Sequence, residues 1–466
     1  MAMAVDGSAT NRRQTIASGH RRGKSVLFLM VCGVAGFGPH WLDPGVRLLP
    51  SVSMALLLGG YSLRTVLGAA FRRPSRLAVP ELPLEGSRPT SAATWPAVDV
   101  VVAARDEQAV IGRLVDCIAS LRYPREHLRL WVIDDASTDR TPQLLADLQE
   151  RHQFLKVLRR EPGAGGGKSG ALNLALQHLQ APWMLVLDAD ADLQPDTLER
   201  LLGQDQLDGW GAVQLRKAVA NSDSNWLTRA QAMEMALDTV VQEGRLACGG
   251  VTELRGNGQL LRREALLAAG GFNEDTVTDD LDLSFRLLLQ QQPIDILWDP
   301  PVAEEAVLSL RALWRQRQRW AEGGLQRFFD YAPGLFSDRL NMARKLDLIC
   351  FFLLQYLLPV AAVADLLGAV ITRTSPTIWP LSFVAFGLSG VSILVGCRRS
   401  GEGPPMPSMH PLHLIVGIAY LSHWFLVIPY TTVRMCLLPK SLVWAKTMHL
   451  GEDSDDHQAV EDPAAA

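Results

Sequence analysis

Two aspartates at i and i+2, Asp188 and Asp190, close the apolar run Trp183-Met184-Leu185-Val186-Leu187. At the end of a strand regular alternation breaks down, so both carboxylates can reach one hard cation. Mg²⁺ or Mn²⁺ is commonly held by one or two carboxylates together with the phosphates of a substrate. A second acidic run, Val132-Ile133-Asp134-Asp135-Ala136-Ser137-Thr138-Asp139, also closes a buried strand-like stretch. Asp134 and Asp135 there can accept hydrogen bonds from a uracil ring or a ribose hydroxyl, although Asp and Ser at such a turn are equally ordinary capping residues. A third, Thr278-Asp279-Asp280-Leu281-Asp282, opens a helix, where acids are favoured by the dipole in any case. Three acids so close raise one another's pKa when partly buried, which suits a general base.

Cations accompany these acids. Lys168 follows Gly163-Ala164-Gly165-Gly166-Gly167, but the phosphate-binding signature Gly-x-x-x-x-Gly-Lys-Ser/Thr fails because Pro162 stands where its first glycine belongs. The stretch reads instead as a flexible loop leading into a helix over residues 169–179, with Lys168 able to approach a diphosphate. Leu313-Trp314-Arg315-Gln316-Arg317-Gln318-Arg319-Trp320 is rich in cations and aromatics. It suits an anionic membrane surface, and equally the charge on a leaving diphosphate.

Positioning such groups requires a sheet. Residues 98–104, 130–134, 155–158, 184–187 and 212–215 are short β-rich runs separated by helical stretches, which predicts a mainly parallel sheet with helices on both faces. In α/β folds of this kind ligands collect at the carboxyl ends of the strands. The first two acidic runs fall at such ends.

On either side the composition changes. The 466 residues are 48% hydrophobic and 20% charged, which excludes a disordered or collagen-like chain. Uncharged stretches over 25–42 and 48–63, the second continuing past Arg64 to residue 71, are each long enough to span a bilayer. With no small-x-small cleavage site and a second span directly after it, the first reads as a retained anchor. Arg12, Arg13, Arg21, Arg22 and Lys24 before the pair, and Arg72, Arg73 and Arg76 after it, place both ends in the cytosol. Three further uncharged runs lie over 348–364, 374–397 and 403–433. Three crossings would put the C-terminus outside, against the preference of Arg434, Lys440 and Lys446 for the cytosol, so one run is expected to be re-entrant or interfacial, or the last to be a hairpin. The organisation expected is a basic N-terminus (1–24), two spans (25–71), a proline-rich linker (72–96), a catalytic domain (97–330), about three transmembrane or interfacial helices (331–438) and a tail (439–466). Six acids in the last sixteen residues account for the net charge of −4, so nucleic acid is not an expected partner. The six scattered cysteines read as reduced apolar fillers.

In this order the motifs resemble family 2 glycosyltransferases of the GT-A fold, over about residues 97–325. Ala103-Ala104-Arg105-Asp106-Glu107 is similar to the family's nucleotide-side acidic segment and Asp134-Asp135 to its second. Lys168-Ser169-Gly170-Ala171-Leu172-Asn173 is similar to Lys-Ala-Gly-Ala-Leu-Asn, Asp188-Ala189-Asp190 to Asp-x-Asp, and Gln316-Arg317-Gln318-Arg319-Trp320 to Gln-x-x-Arg-Trp. Thr278-Asp279-Asp280 resembles Thr-Glu-Asp with Asp279 in place of Glu. The resemblance implies Asp280 as catalytic base and a Mg²⁺, with Mn²⁺ an alternative, on Asp188 and Asp190. It implies Asp106, Asp134, Asp135, Lys168, Asp188, Gln316, Arg319 and Trp320 around the nucleotide sugar, and Asp279, Gly256, Asn257, Gly258 and Trp320 toward the acceptor.

Cellulose, hyaluronan and poly-N-acetylglucosamine synthases and ceramide glucosyltransferases share Thr-Glu-Asp and Gln-x-x-Arg-Trp, so polymer and lipid products both stay open at that level, as does a non-catalytic scaffold. A finer resemblance, through Glu253-Leu254-Arg255-Gly256-Asn257-Gly258-Gln259, Arg319-Trp320-Ala321-Glu322-Gly323-Gly324 and Trp444-Ala445-Lys446-Thr447, is to the cyanobacterial branch that glucosylates diacylglycerol. It implies UDP-glucose as donor, diacylglycerol in the bilayer as acceptor, inversion at the anomeric carbon, and a multi-pass protein of the thylakoid or plasma membrane.

Overall fold

The computed structural model describes residues 7–71, 77, 95–203 and 209–438. The chain enters through α1 (Gly7–Phe37), a 3-10 turn (Gly38–Trp41) and α2 (Leu49–Phe71). It then alternates through β1 (Val98–Ala104), α3 (Ile111–Ser120), β2 (Leu128–Asp134), α4 (Thr141–Arg151), β3 (Leu155–Arg159), α5 (Gly167–Leu176), β4 (Trp183–Leu187), β5 (Asp192–Leu193) and α6 (Thr197–Leu202). The second half of the domain holds β6 (Ala212–Val219), α7 (Trp226–Ala247), β7 (Gln259–Arg262), α8 (Arg263–Ala268), α9 (Asp279–Leu289) and β8 (Ile294–Glu304). Helices alone follow: α10 (Leu310–Leu335), α11 (Met342–Phe352), a π-turn (Leu353–Leu357), α12 (Leu358–Thr372), α13 (Trp379–Arg398), α14 (Pro411–Tyr420) and α15 (Trp424–Leu437).

The expected α/β sheet is present, eight strands wide in the order β3-β2-β1-β4-β7-β6-β8-β5. Its first four strands are parallel, β7 runs antiparallel to both β4 and β6, and β8 is parallel to β6. Successive side chains of β1 point to opposite faces. Val98, Val100 and Val102 pack with Ile111, Leu114 and Ile118 of α3 and Leu145 of α4. Val101 and Ala103 pack with Ala171, Leu172 and Ala175 of α5 and Leu283 and Leu287 of α9. Helices covering both faces explain why β1 and β4 are buried along their whole length and lack polar alternation.

Three strands, β5, β7 and β8, were not expected. β5 and β7 are short, and β8 contains Pro300 and Pro301, which argue against a strand. The register passes from Leu215 opposite Leu297 to Lys217 opposite Val302, so the two prolines lie in an irregularity between paired segments. Helix α5 begins at Gly167 rather than at residue 169, with Gly163, Gly165, Gly166 and Gly167 all at positive φ. That run of left-handed backbone is why the loop is built of glycine.

Among the described residues four helical stretches are long and apolar enough to cross a membrane: Leu49–Phe71, Met342–Thr372, Trp379–Arg398 and Pro411–Leu437. α1, expected as the first span, is not among them. Its uncharged part after Lys24 has thirteen residues before the helix ends at Phe37, or about 20 Å of helix. It packs on α12 and α15. Most of the linker 72–96 and the tail 439–466, with Trp444-Ala445-Lys446-Thr447, lie outside the described residues. Leu77 is described, and its carbonyl accepts from the Arg200 guanidinium beside the sheet.

The catalytic domain and the apolar helices meet along α7, which packs against α2 and α13. Small residues permit the approach. A Cβ on Gly244 would collide with the Thr65 carbonyl of α2, and one on Gly396 of α13 would meet the Ala236 carbonyl at 2.8 Å. In an ordinary helix Gly to Ala stabilises by roughly 0.5–1 kcal/mol. Gly244→Ala should do the opposite, costing about 1–3 kcal/mol through overpacking against backbone; a lowered thermal midpoint of the purified protein checks this.

Candidate active site

The acids expected on the nucleotide side, Asp106, Asp134 and Asp135, are tied together by hydrogen bonds. Asp106, at φ 56 just past β1, accepts at Oδ1 from the Thr138 N–H at 2.7 Å and the Thr138 hydroxyl at 3.2 Å, while its own N–H donates to Ser137 Oγ at 2.9 Å. It ties the loop after β1 to the loop after β2. Asp134 is buried at the end of β2, where Oδ1 accepts from the Ser137 N–H at 2.9 Å. Asp135 accepts from Arg160 at 2.5 Å, and Arg160 also donates to the Gly167 carbonyl at 3.1 Å. A single guanidinium therefore links the second acidic run to the glycine loop and the start of α5, which carries Lys168.

The other candidate acids gather around Lys168 at the start of α5. Lys168 Nζ donates to Asp188 Oδ1 at 2.5 Å. Burial disfavours a charge on this lysine, but Asp188, Asp279 and Asp280 outweigh burial and hold it protonated. Burial likewise raises the Asp188 carboxyl; Lys168, Lys217 and Arg319 overcome this and keep it below the usual carboxylate range. Asp190 accepts at Oδ2 from the Glu305 N–H at 2.9 Å, just past the end of β8.

Asp280, in the first turn of α9, is pushed up to about 6, first by burial and then by the charge of Asp279. The Leu281 N–H, donating to Asp280 Oδ1 at 2.8 Å, and the charges of Arg255 and Lys168 oppose the rise. Asp279 Oδ2 is buried with no hydrogen-bond partner among the described residues. A carboxyl poised near neutrality is suited to take a proton.

Of the residues expected on the acceptor side, Gly256 faces Asp280: a Cβ there would sit 3.4 Å from Asp280 Oδ2. Asn257 and Gly258 brace the site from within. Asn257 is fully buried, accepts the Asp188 N–H at 3.1 Å and donates to Glu304 at 3.1 Å. Gly258 N–H donates to the Val186 carbonyl of β4 at 3.1 Å, and a side chain on it would strike Val302.

α10 supplies the remaining groups. Arg319 acts on Asp188 through its charge, and the Trp320 ring carries the Lys217 ammonium 5.7 Å from its centroid. Arg317, which shares the motif with them, faces the other way. It is buried against Glu234 of α7 and Tyr420, stacks 3.9 Å from the Trp320 centroid, and donates to Gln316 at 2.9 Å. Gly323 leaves the space that Thr278 fills, so α9 and α10 touch where their motifs meet.

Sequence reasoning did not pick out Lys217, Arg255, Glu234 or Glu304. Lys217 pairs with Glu304 at 2.8 Å and Arg255 with Asp238 at 2.8 Å. Nothing local marks any of them, because each matters only through groups brought near by the fold.

The family described as "Glycosyltransferase like family 2" matches residues 96–323. A curated relative, the beta-monoglucosyldiacylglycerol synthase of Synechocystis sp., is 43% identical over 435 residues, covering 92% of this chain and 88% of that enzyme. The chain belongs to the beta-monoglucosyldiacylglycerol synthase family. The Trichormus variabilis member is 40% identical, with 92% of this chain and 90% of that enzyme covered. Beta-monoglucosyldiacylglycerol synthases thus match this chain through its apolar helices as well as its catalytic domain. Among solved structures, a mannosyltransferase from Pyrobaculum calidifontis, in complex with GDP-Man and Mn²⁺, superposes with a TM-score of 0.56 at 20% identity, covering 83% of this chain and 98% of that one. That likeness identifies the fold as GT-A.

Proposed function

We propose that the protein transfers glucose from UDP-glucose to the free hydroxyl of 1,2-diacylglycerol, giving a β-glucolipid. The observation that carries this reading is the near-full-length match to enzymes named for that product. The local chemistry agrees with it. Asp280 takes the proton from the lipid hydroxyl as that oxygen bonds to the anomeric carbon. The bond from that carbon to the diphosphate oxygen breaks, and UDP leaves with the electron pair. One displacement from the far face inverts an α-linked donor to a β-glucoside. Lys168, Lys217 and Arg319 supply positive charge where the leaving diphosphate gathers negative charge.

The donor set fits a divalent ion. Asp188 and Asp190 are hard oxygen ligands, and the ammonium already held against Asp188 marks the spot as one that favours a cation. Among the described residues no three His, Cys, Asp or Glu side chains gather as a metal cage, so substrate phosphate oxygens would have to share in holding the ion. Mg²⁺ or Mn²⁺ bound by Asp188 and Asp190 would add neutralising charge on the diphosphate.

Arg72, Arg73 and Arg76 directly after α2 favour a catalytic domain on the cytosolic side, in a thylakoid or plasma membrane. Two contacts support laying α14 and α15 along its surface instead of across the bilayer. Near their junction Tyr420 and Trp424 both donate to Glu234 of α7, at 2.9 Å each, and near their end Arg434 donates to Glu322 of α10 at 3.2 Å. Both points stay with the catalytic domain. Arg434 then remains on the cytosolic side, which removes the charge conflict seen in the sequence.

Membranes given labelled UDP-glucose and UDP-galactose side by side should form a chloroform-soluble neutral glycolipid from UDP-glucose. An ethanol-insoluble polymer, or transfer from UDP-galactose alone, would overturn this reading. Asp280→Asn should lower kcat by about 10²–10⁴-fold while leaving UDP affinity, measured calorimetrically, nearly unchanged. Because burial and Asp279 hold Asp280 near 6, and the base works ionised, kcat/KM should be level above that pH and fall about tenfold per unit below it. Lys168→Met should have two opposite effects: weaker binding of UDP-glucose, and tighter binding of Mn²⁺ alone, since Asp188 Oδ1 no longer has an ammonium on it. Calorimetry for the nucleotide and paramagnetic resonance for the ion read the two separately.

A further inference from the structure

Between α7 and β7, residues 249–258 form neither helix nor strand, yet much of the segment is buried, so its backbone donors need partners. Side chains supply them. The Val251 N–H donates to Asp347 Oδ2 at 2.9 Å, Glu253 N–H to Gln242 Oε1 at 3.1 Å, Leu254 N–H to Ser284 Oγ at 2.8 Å and Arg255 N–H to Gln214 Oε1 at 2.7 Å. Three of these acceptors belong to the catalytic domain, on α7, α9 and β6. The fourth does not. Asp347 lies on α11, at the head of the stretch Met342–Thr372 that is long and apolar enough to cross a membrane.

Asp347 does more than cap one amide. It accepts from Arg245 at the end of α7, at 3.1 Å from Nε and 2.8 Å from a terminal nitrogen, and from the Tyr61 hydroxyl of α2 at 2.9 Å. Arg245 stands 3.8 Å from Glu253, which is buried among Arg245, Arg255 and Arg327 of α10. A charge chain therefore runs from two membrane-block helices into the segment. The segment's far end meets the chemistry: Gly256 faces Asp280, Arg255 acts on Asp280 through its charge, and Asn257 holds the Asp188 N–H.

We propose that Asp347 is a positioning residue for the acceptor. Through Val251 and the Arg245, Glu253 and Arg255 chain it fixes the 251–258 segment, and with it the approach of the lipid hydroxyl to Asp280. This rests on the glucosyl-transfer reading above. Asp106, Asp134, Asp135 and Lys168 of the donor side hang on β1, β2 and α5, and Asp188 meets the segment only at Asn257, past the Val251 amide that Asp347 holds, so loss of Asp347 acts chiefly on the acceptor.

The test uses full-length protein in phosphatidylcholine vesicles containing 1,2-diacylglycerol. Two products of UDP-glucose are followed, glucolipid and the free glucose released when water replaces the lipid. Asp347→Asn should lower kcat/KM for diacylglycerol about tenfold or more, while the KM for UDP-glucose and the rate of glucose release stay within about twofold of wild type. Tyr61→Phe, which removes one hydroxyl from Asp347, should move the same ratio in the same direction by about threefold; it decides the matter if Asp347→Asn does not fold. Equal loss of both products with a lowered melting point, or no change in either variant, overturns the proposal. Absence of glucolipid from the wild type would instead sink the functional reading on which it rests.

Discussion

Carboxylates from distant parts of the chain cannot share a partly buried space unless something offsets their repulsion. The ammonium of Lys168 does this: it bonds Asp188 directly and acts on Asp279 and Asp280 through its charge. The rest of the arrangement follows from bringing that one cation to that one place. The left-handed glycine run lets α5 start close to the strand ends, Arg160 ties the run to Asp135, and β4 delivers Asp188 from the opposite side. Lys168 offsets only part of the repulsion, so Asp280 is left poised between its two protonation states while Asp188 stays ionised.

The second constraint is mechanical. α10 carries Arg319 and Trp320 near the centre, through the charge of Arg319 on Asp188 and the Lys217 ammonium over the Trp320 ring. The helix is anchored by Arg317 on Glu234, and farther along by Glu322 on Arg21 and Arg434. Buried ion pairs of this kind contribute little net stability, but removing one partner is costly because the other charge is left bare. They fix where the helix sits, and Gly323 and Gly324 let it come close enough for Thr278 and Tyr356 to pack against it.

The sequence made legible those parts whose meaning is local. An apolar, β-rich run that ends in acids is a buried strand feeding a site, and three such runs with the glycine loop and the Gln316 to Trp320 segment sufficed for the α/β class and pointed to residues that the fold gathers around Asp188. The strands that escaped notice were too short or, in β8, interrupted by Pro300 and Pro301. The groups that escaped notice, Lys217, Arg255, Glu234 and Glu304, gain their roles only from partners far along the chain, as Lys217 does from Glu304 and Trp320. The charge conflict over Arg434 was readable in advance; its partner Glu322 was not, since an acid inside a cationic segment carries no sign of what will lie against it.

The contact of Gly244 with the Thr65 carbonyl places the border between the α/β domain and the apolar helices along a shared helix flank. A catalytic unit joined in this manner cannot be exchanged for another by cutting and splicing at the linker alone. Any hybrid would have to carry over the matching surfaces of α2 and α13 together with α7, so the two halves of such a protein are bound to diversify as one inherited block.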